Sequence, residues 1–494
     1  MTGTTAPRAA GRGRRDDRRA TTGRRSLIRI PLLLVALLVA AAWLWSRIRP
    51  PHLDVPARGA TLAGVTVVNP GQGRRPGCTI QIEGSRIRSI DDGSAASGTS
   101  AGTDAPGTRR FAGDYVLPGL IDMHVHHPPA TPLGDVEHFA LLFLTYGVTT
   151  VRDTGNFDGT IFRTRQRIRD GEFPGPRIFA CGPILDGDPP FWPGSRVVRT
   201  AEEARAAVRE LSAARADCVK TYENLSPELL AAIRDAAKLY DLPVIGHVPK
   251  GLTFGNAGIP EVQHLTGVVA PGHKLSRGDI ESIVTTSAAL GISHTPTLVF
   301  LERAAELTDY KHELDVPEAQ LLPRYYREIL WNPRFDRRLR GLSPADWDAL
   351  RETLRNSKRI VQALHESGVS VYLGTDTMNP FIVPGASLQE EMREFLDAGF
   401  TLEEVWSTAT RKAGEALRTP MLGTIAAGAP ADLLVFRADP TASLDALSTL
   451  EAVVADGRLY PREVLDAALG RWKEHMRDPV YDAVTMRLAG WLAP

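Results

Sequence analysis

Lysine is scarce in this chain: 8 Lys stand against 50 Arg in 494 residues, so arginine supplies nearly every ordinary cation. Lys220 is conspicuous because it lies in the stretch DCVKTY from Asp217 to Tyr222, apolar and strand-like, where a surface charge is not expected. A guanidinium cannot lose its proton, whereas a partly desolvated amine can, and a neutral amine is a nucleophile. At position 220 such an amine can take up CO2 and become a carbamate, whose two oxygens are able to bridge two metal ions.

The chain also supplies the other groups that such a centre needs. His124 and His126 end the run LPGLIDMHVH, His247 ends VIGH, His264 ends VQH, and Asp376 ends VYLGTD. Each follows a short apolar or β-branched run bounded by Gly or Pro, the pattern of a buried strand. Candidate ligands at the ends of several strands point to a parallel barrel, whose C-terminal rim hosts chemistry. Imidazole and carboxylate suit zinc and similar divalent ions. With 12 histidines in 494 residues, an accidental His-x-His is expected roughly once in three or four such chains, so that pair alone decides little. The ordered set of His-x-His, Lys, His, His and Asp is what carries weight.

These residues resemble the amidohydrolase superfamily, specifically binuclear members similar to imidazolonepropionase-like and prolidase-like (Xaa-Pro type) dipeptidases. The matching segments are PGLIDMHVH ending at His126, GVTTVRD ending at Asp153, VKTY ending at Tyr222, Gly246 with His247, QHLTG starting at Gln263, and LGTD ending at Asp376; GTIAAGAPADLLVF from Gly423 resembles the closing strands. The likeness spans roughly residues 60–465. It implies that His124, His126 and Asp376 bind one metal, that His247 and His264 bind the other, and that carbamylated Lys220 bridges them. Gln263 stands where many relatives have glutamate, but that neighbour is not a ligand.

The expected chemistry is hydrolysis of an amide C–N bond, in a dipeptide or cyclic amide, by a metal-bridging hydroxide. Metal binding lowers the pKa of water toward ~7, and one ion polarises the substrate carbonyl. Asp376 would take the proton and pass it to the leaving nitrogen. Tyr222 would face the same rim and donate to a substrate carbonyl or carboxylate, or else simply pack there. Arg152, His127, His273 and His294 read as structural. The cofactors expected are two divalent ions, zinc foremost. Lactone or phosphotriester hydrolysis would use the same nucleophile. Two rivals differ in class. A mononuclear deaminase of this superfamily lacks the bridging lysine and has glutamate three residues after the fifth-strand histidine, where this chain has Lys250. A catalytically inactive, membrane-tethered binding protein would have lost ligands, and this chain has lost none.

Composition agrees with a folded enzyme. Hydrophobic residues make up 43% and charged residues 23%, ordinary values for a globular chain. Net charge is +0, which gives no reason to expect a nucleic-acid partner. Three cysteines, at 78, 181 and 218, are too few and scattered for a disulfide framework.

The expected architecture is α/β: a (β/α)8 TIM-like barrel with a small β-sandwich from its N- and C-terminal flanks, plus an N-terminal transmembrane helix. An Arg-rich cytoplasmic arm, disordered by composition, occupies residues 1–29. A membrane anchor follows at 30–46, a linker at 47–59, and a first sandwich part at 60–115 with a Ser/Gly-rich loop from 93 to 107. The barrel takes residues 116–415, with a helical insert at 301–365 between a seventh strand (293–300) and an eighth (370–373). The second sandwich part is 416–460, and helices close the chain at 461–494. Arginines before the apolar run place that side in the cytoplasm and the catalytic part outside. The alternative is export with signal cleavage, for which Arg24 and Arg25 faintly resemble a twin-arginine signal. The expected partners are thus a small amide or dipeptide and the membrane.

Overall fold

The computed structural model describes residues 22–92, 108–129, 133, 135–156, 159–268, 272–307, 317–332 and 342–492. Most of the expected N-terminal arm and the 93–107 loop lie outside these residues. The chain divides into one unit up to Arg49 and a second from Pro50 onward.

The first unit contains a helix, Thr22–Ile48. Among the described residues no helix is long and apolar enough to cross a membrane, so the expected transmembrane anchor at 30–46 finds no support there.

In the second unit the flanks of the barrel pair with each other. Strands β1 (Ala60–Asn69), β2 (Gly73–Glu83), β3 (Arg86–Asp91), β4 (Thr108–Arg110) and β5 (Tyr115–Pro118) come before the barrel. From beyond it come β15 (Leu433–Phe436), β16 (Leu450–Ala455) and β17 (Arg458–Pro461). They form one eight-stranded sheet ordered β17-β16-β15-β5-β1-β2-β3, with β4 on β1. The flank strands expected to form a small β-sandwich are thus joined by one path of strand pairing. The β1–β2 register shifts at Ala63/Val65 and Val65/Val67, the irregularities that let a long strand bend. Along β15 the side chains alternate: Leu433 and Val435 join the flank core with Leu62, Ile80 and Val116, while Leu434 and Phe436 face the barrel core. One strand thus serves two cores, as the period of two requires.

The barrel begins at once after β5. Parallel β6 (Leu120–Val125), β7 (Val148–Asp153) and β8 (Arg177–Ala180) form one arc. A second arc runs β10-β9-β11-β12-β13-β14, comprising β9 (Leu185–Asp186), β10 (Arg196–Val197), β11 (Val219–Thr221), β12 (Val244–Gly246), β13 (Glu261–Gln263) and β14 (Ser293–Thr295). The eighth position is held by single parallel bridges, Val371 to His294 and Thr377 to Val125. The seventh strand stops at Thr295, because helix Leu298–Glu306 starts just beyond it. Helices between strands show the expected stripes. Pro227–Leu239 opens with the Ser226 cap and Pro227, and buries Leu229, Leu230, Ile233, Ala236 and Ala237, an i, i+4, i+7 face.

No β-ladder joins β8 to β11; the backbone bond from Asp217 N to Ala180 O spans that seam at 2.9 Å. Beside it, Cys181 and Cys218 form a disulfide with Cα atoms 4.4 Å apart. Nothing in the spacing of the cysteines announces this pair.

Candidate metal centre

Every residue expected at the centre sits at the C-terminal end of a barrel strand. His124 lies in β6 and His126 just past it, Lys220 is in β11, His247 follows β12, His264 follows β13, and Asp376 is in the eighth segment. Two glycines make this convergence sterically possible. A Cβ on Gly246 would meet Thr221 O at 2.3 Å, and one on Gly374 would meet His124 Cβ at 2.7 Å. Neither strand could approach its neighbour with a larger residue there.

Asp376 joins the first pair. Its Oδ1 is 3.3 Å from His124 Nε2 and 3.1 Å from His126 Nε2, while Oδ2 is 3.8 Å from His264 Nε2. His124, His126 and Asp376 offer ligand atoms that all lie within 4.8 Å of one another. The His264 ring is 4.5 Å from that of His124 and 4.9 Å from that of His247. Five of the six expected ligands therefore surround one space, and Lys220 is near enough to act electrostatically on His124, His247 and His264. Asp376 and His264 hold φ of 61° and 56°, a left-handed conformation costing on the order of 1–3 kcal/mol for such residues. The surrounding bonds enforce it: Asp376 N donates to His124 O at 2.8 Å and His264 N to Thr295 O at 2.9 Å.

The imidazoles are oriented alike. His126 Nδ1 faces Gly155 O at 2.7 Å, His247 Nδ1 faces Glu223 Oε1 at 3.0 Å, His264 Nδ1 faces Thr297 Oγ1 at 2.6 Å, and His124 Nδ1 faces Gln263 Oε1 at 2.5 Å. The carbonyl and the carboxylate can only accept. Thr297 gives its own proton to Pro296 O, so it too accepts. Each Nδ1 therefore carries the hydrogen and each Nε2 presents a lone pair inward, the tautomer a metal requires.

The donor set fits divalent cations. His124 Nε2, His247 Nε2 and Lys220 Nζ are buried without a hydrogen-bond partner, an arrangement that costs free energy unless something binds them. Burial pushes the imidazoles of His124, His247 and His264 well below their usual range, so they are neutral ligands. Burial likewise brings the Lys220 amine down to about 7, which gives it a large neutral fraction near neutrality. Burial alone would raise Asp376, but the facing His264 and His124 hold it well below the ordinary carboxylate range.

Tyr222 reaches the same rim, with its ring 4.0 Å from that of His247. The remaining candidates lie outside the centre. Arg152 pairs with Glu261, His127 with Asp153, and His294 Nε2 meets Ser287 Oγ at 2.9 Å. His273 lies 3.9 Å from Asp279 near the surface. Sequence reasoning missed Asp122, fully buried, whose carboxylate accepts from His124 N, Thr375 N and Thr375 Oγ1 and so ties β6 to the Asp376 loop. It also missed Glu223, Thr297 and the Glu261–Gln263 pair as partners of the histidines.

Residues 115–460 match the model of the amidohydrolase family, and the chain belongs to that family. It is a hydrolase acting on carbon–nitrogen bonds. Among solved structures it is similar to a bottromycin amidohydrolase (22% identity, 88% of this chain and 93% of that one, TM-score 0.67). It is similar also to a putative prolidase from Bifidobacterium longum (24%, 84% and 99%, 0.63) and to a Xaa-Pro dipeptidase with bound methionine (21%, 82% and 100%, 0.61). At these identities the likeness establishes the fold. No curated protein matches the chain.

Proposed function

We propose that this chain is a metal-dependent hydrolase cleaving the amide bond of a dipeptide or cyclic amide. The observation that carries the reading is the convergence of four Nε2 atoms, the Asp376 carboxylate and the unpartnered Lys220 amine, with every Nδ1 locked by an acceptor. His124, His126 and Asp376 would hold one cation, His247 and His264 a second, and Lys220 as a carbamate would bridge them. Bound there, such cations supply Lewis acidity and acidify water toward neutrality. Asp376 is placed to take a proton from water and deliver it to the leaving nitrogen. Tyr222, beside His247, would donate to the substrate carbonyl or carboxylate. The prolidase and dipeptidase among similar folds support a dipeptide as substrate.

The buried Cys181–Cys218 disulfide supports an extracytoplasmic setting, because cytosolic thiols are kept reduced. The test is metal analysis of the purified chain together with a hydrolysis panel of dipeptides, N-acyl amino acids, cyclic amides and lactones. About two divalent ions per chain and turnover of an amide are expected. One ion, or none, or turnover of lactones alone, would overturn the reading.

A further inference from the structure

Three of the four imidazoles are oriented by groups that can only accept: a backbone carbonyl, a carboxylate, and a hydroxyl whose proton is already given away. His124 is different. Its partner is the amide of Gln263, and a primary amide can present either an acceptor or a donor. Turned by 180°, Gln263 would offer an N–H to Nδ1, and His124 would have to carry its hydrogen on Nε2. That tautomer has no lone pair for a metal.

What holds Gln263 in the useful orientation lies on its far side. Gln263 Nε2 donates to Glu261 Oε1 at 2.8 Å. Glu261 is gripped by both arms of the Arg152 guanidinium, one of them at 2.8 Å to Oε2, and accepts from Thr295 Oγ1 at 2.7 Å. A carboxylate so surrounded takes donors only, so the amide must point its NH2 at Glu261 and its oxygen at His124. Arg152 is fixed in turn by its Nε, which donates to Met123 O at 2.9 Å, beside His124 in β6. Arg152, Glu261, Gln263 and His124 are all buried, and water is not at hand to substitute for a lost partner.

We propose that the Arg152–Glu261 ion pair, acting through the Gln263 amide, selects the Nδ1–H tautomer of His124. Glu261 and Arg152 are then positioning residues for the centre, although neither touches a candidate ligand side chain. The consequence for cation binding rests on the reading of His124 as a ligand; the tautomer itself does not.

The test is nitrogen-15 NMR of the imidazoles in the metal-free chain, with chelator competition for zinc alongside. Wild type should show His124 only as Nδ1–H. Arg152→Met combined with Glu261→Leu removes the pair jointly, which a buried site tolerates better than losing one charge. It should give both tautomers of His124 and weaken the zinc position that His124 shares with His126 and Asp376 by about tenfold, the lower end of what lost imidazole partners cost. His124 remaining wholly Nδ1–H in that variant would overturn the proposal, as would an Nε2–H tautomer in wild type. If the double variant does not fold, Gln263→Glu against Gln263→Met decides. The first keeps an acceptor at Nδ1 and should keep one tautomer, the second should not, and equal behaviour of the two would sink the idea. A chain that binds no zinc yet shows this tautomer dependence would keep the inference and lose the metal reading.

Discussion

Cys218 lies two residues before Lys220 on β11 and is joined to Cys181 at the end of β8. The covalent link therefore crosses a seam of the barrel where β8 and β11 share no ladder, next to the residue expected to bridge the cations. A loop of 37 residues closed this way is worth about 4 kcal/mol through constraint of the unfolded chain. Adding a reductant should lower the denaturation midpoint of wild type. Cys181→Ala with Cys218→Ala should show the lower midpoint with or without reductant. Unchanged wild-type stability after verified reduction would show that the bond holds nothing.

Lys220→Ala should remove the bridging group, lose the cation pair and abolish nearly all turnover. Lys220→Arg should do the same, since guanidinium does not form a carbamate. Metal analysis and rates of both variants decide the point, and an active Lys220→Arg enzyme with two ions would exclude the bridge.

The depressed value at Lys220 has a consequence for the metal-free chain. Folded, burial brings the amine to about 7, whereas in the unfolded chain it stays near 10.5. Between those values the unfolded state holds a proton that the folded state has released, so this group makes stability rise with pH across that window. Chelator-treated wild type should accordingly gain stability from pH 7 toward pH 10, and Lys220→Met should lose that increment. Recovery of the metal-stripped enzyme in bicarbonate should be faster above pH 7 than below it, because only the neutral amine captures CO2.

Glu223 fixes the ring of His247 at 3.0 Å. Glu223→Gln keeps the shape but lets an N–H face Nδ1, and Glu223→Ala removes the acceptor altogether. Both should weaken one of the two zinc ions by roughly 10- to 100-fold, measured by chelator competition, while leaving the other ion's affinity close to wild type. Equal loss of both ions would mean that His247 does not belong to a separate position.

The ligands were legible because each ends an apolar run, and position along a strand is a local property. His124, Lys220, His247, His264 and Asp376 share a rim for that reason alone. Their partners were not legible. Gln263 and Glu261 look like ordinary strand residues, and only the approach of β7 and β14 reveals that Arg152 and Thr295 complete them. Thr297 and Glu223 become meaningful only through left-handed or loop geometry after a strand. The disulfide escaped for the same reason, since pairing across 37 residues leaves no periodic trace.

The helical insert is tied down by one buried carboxylate. Asp135 Oδ2 accepts from Tyr325 at 2.7 Å, in the insert, and from Tyr481 at 2.9 Å, in the C-terminal helix Pro479–Leu492. Burial raises this carboxyl to about 6 from an ordinary 3.8. Between those values the folded chain holds a proton that the unfolded chain has lost, so from this group stability falls as pH rises through that window. Tyr325→Phe and Tyr481→Phe each strip a donor from a buried acceptor, which costs about 1–3 kcal/mol. Both should also raise the Asp135 carboxyl further, since each hydroxyl favours the ionised form. The insert reaches the Asp376 loop through Trp331, whose Nε1 donates to Met378 O at 3.3 Å and whose ring lies 5.2 Å from that of Phe381. Loosening the clamp at Asp135 should therefore lower turnover as well as stability, with KM changed more than metal content. Proteolysis of the insert, compared between wild type and the Tyr325→Phe variant at pH 7, reads the clamp directly; identical cleavage rates would show that the insert is held by its apolar contacts alone.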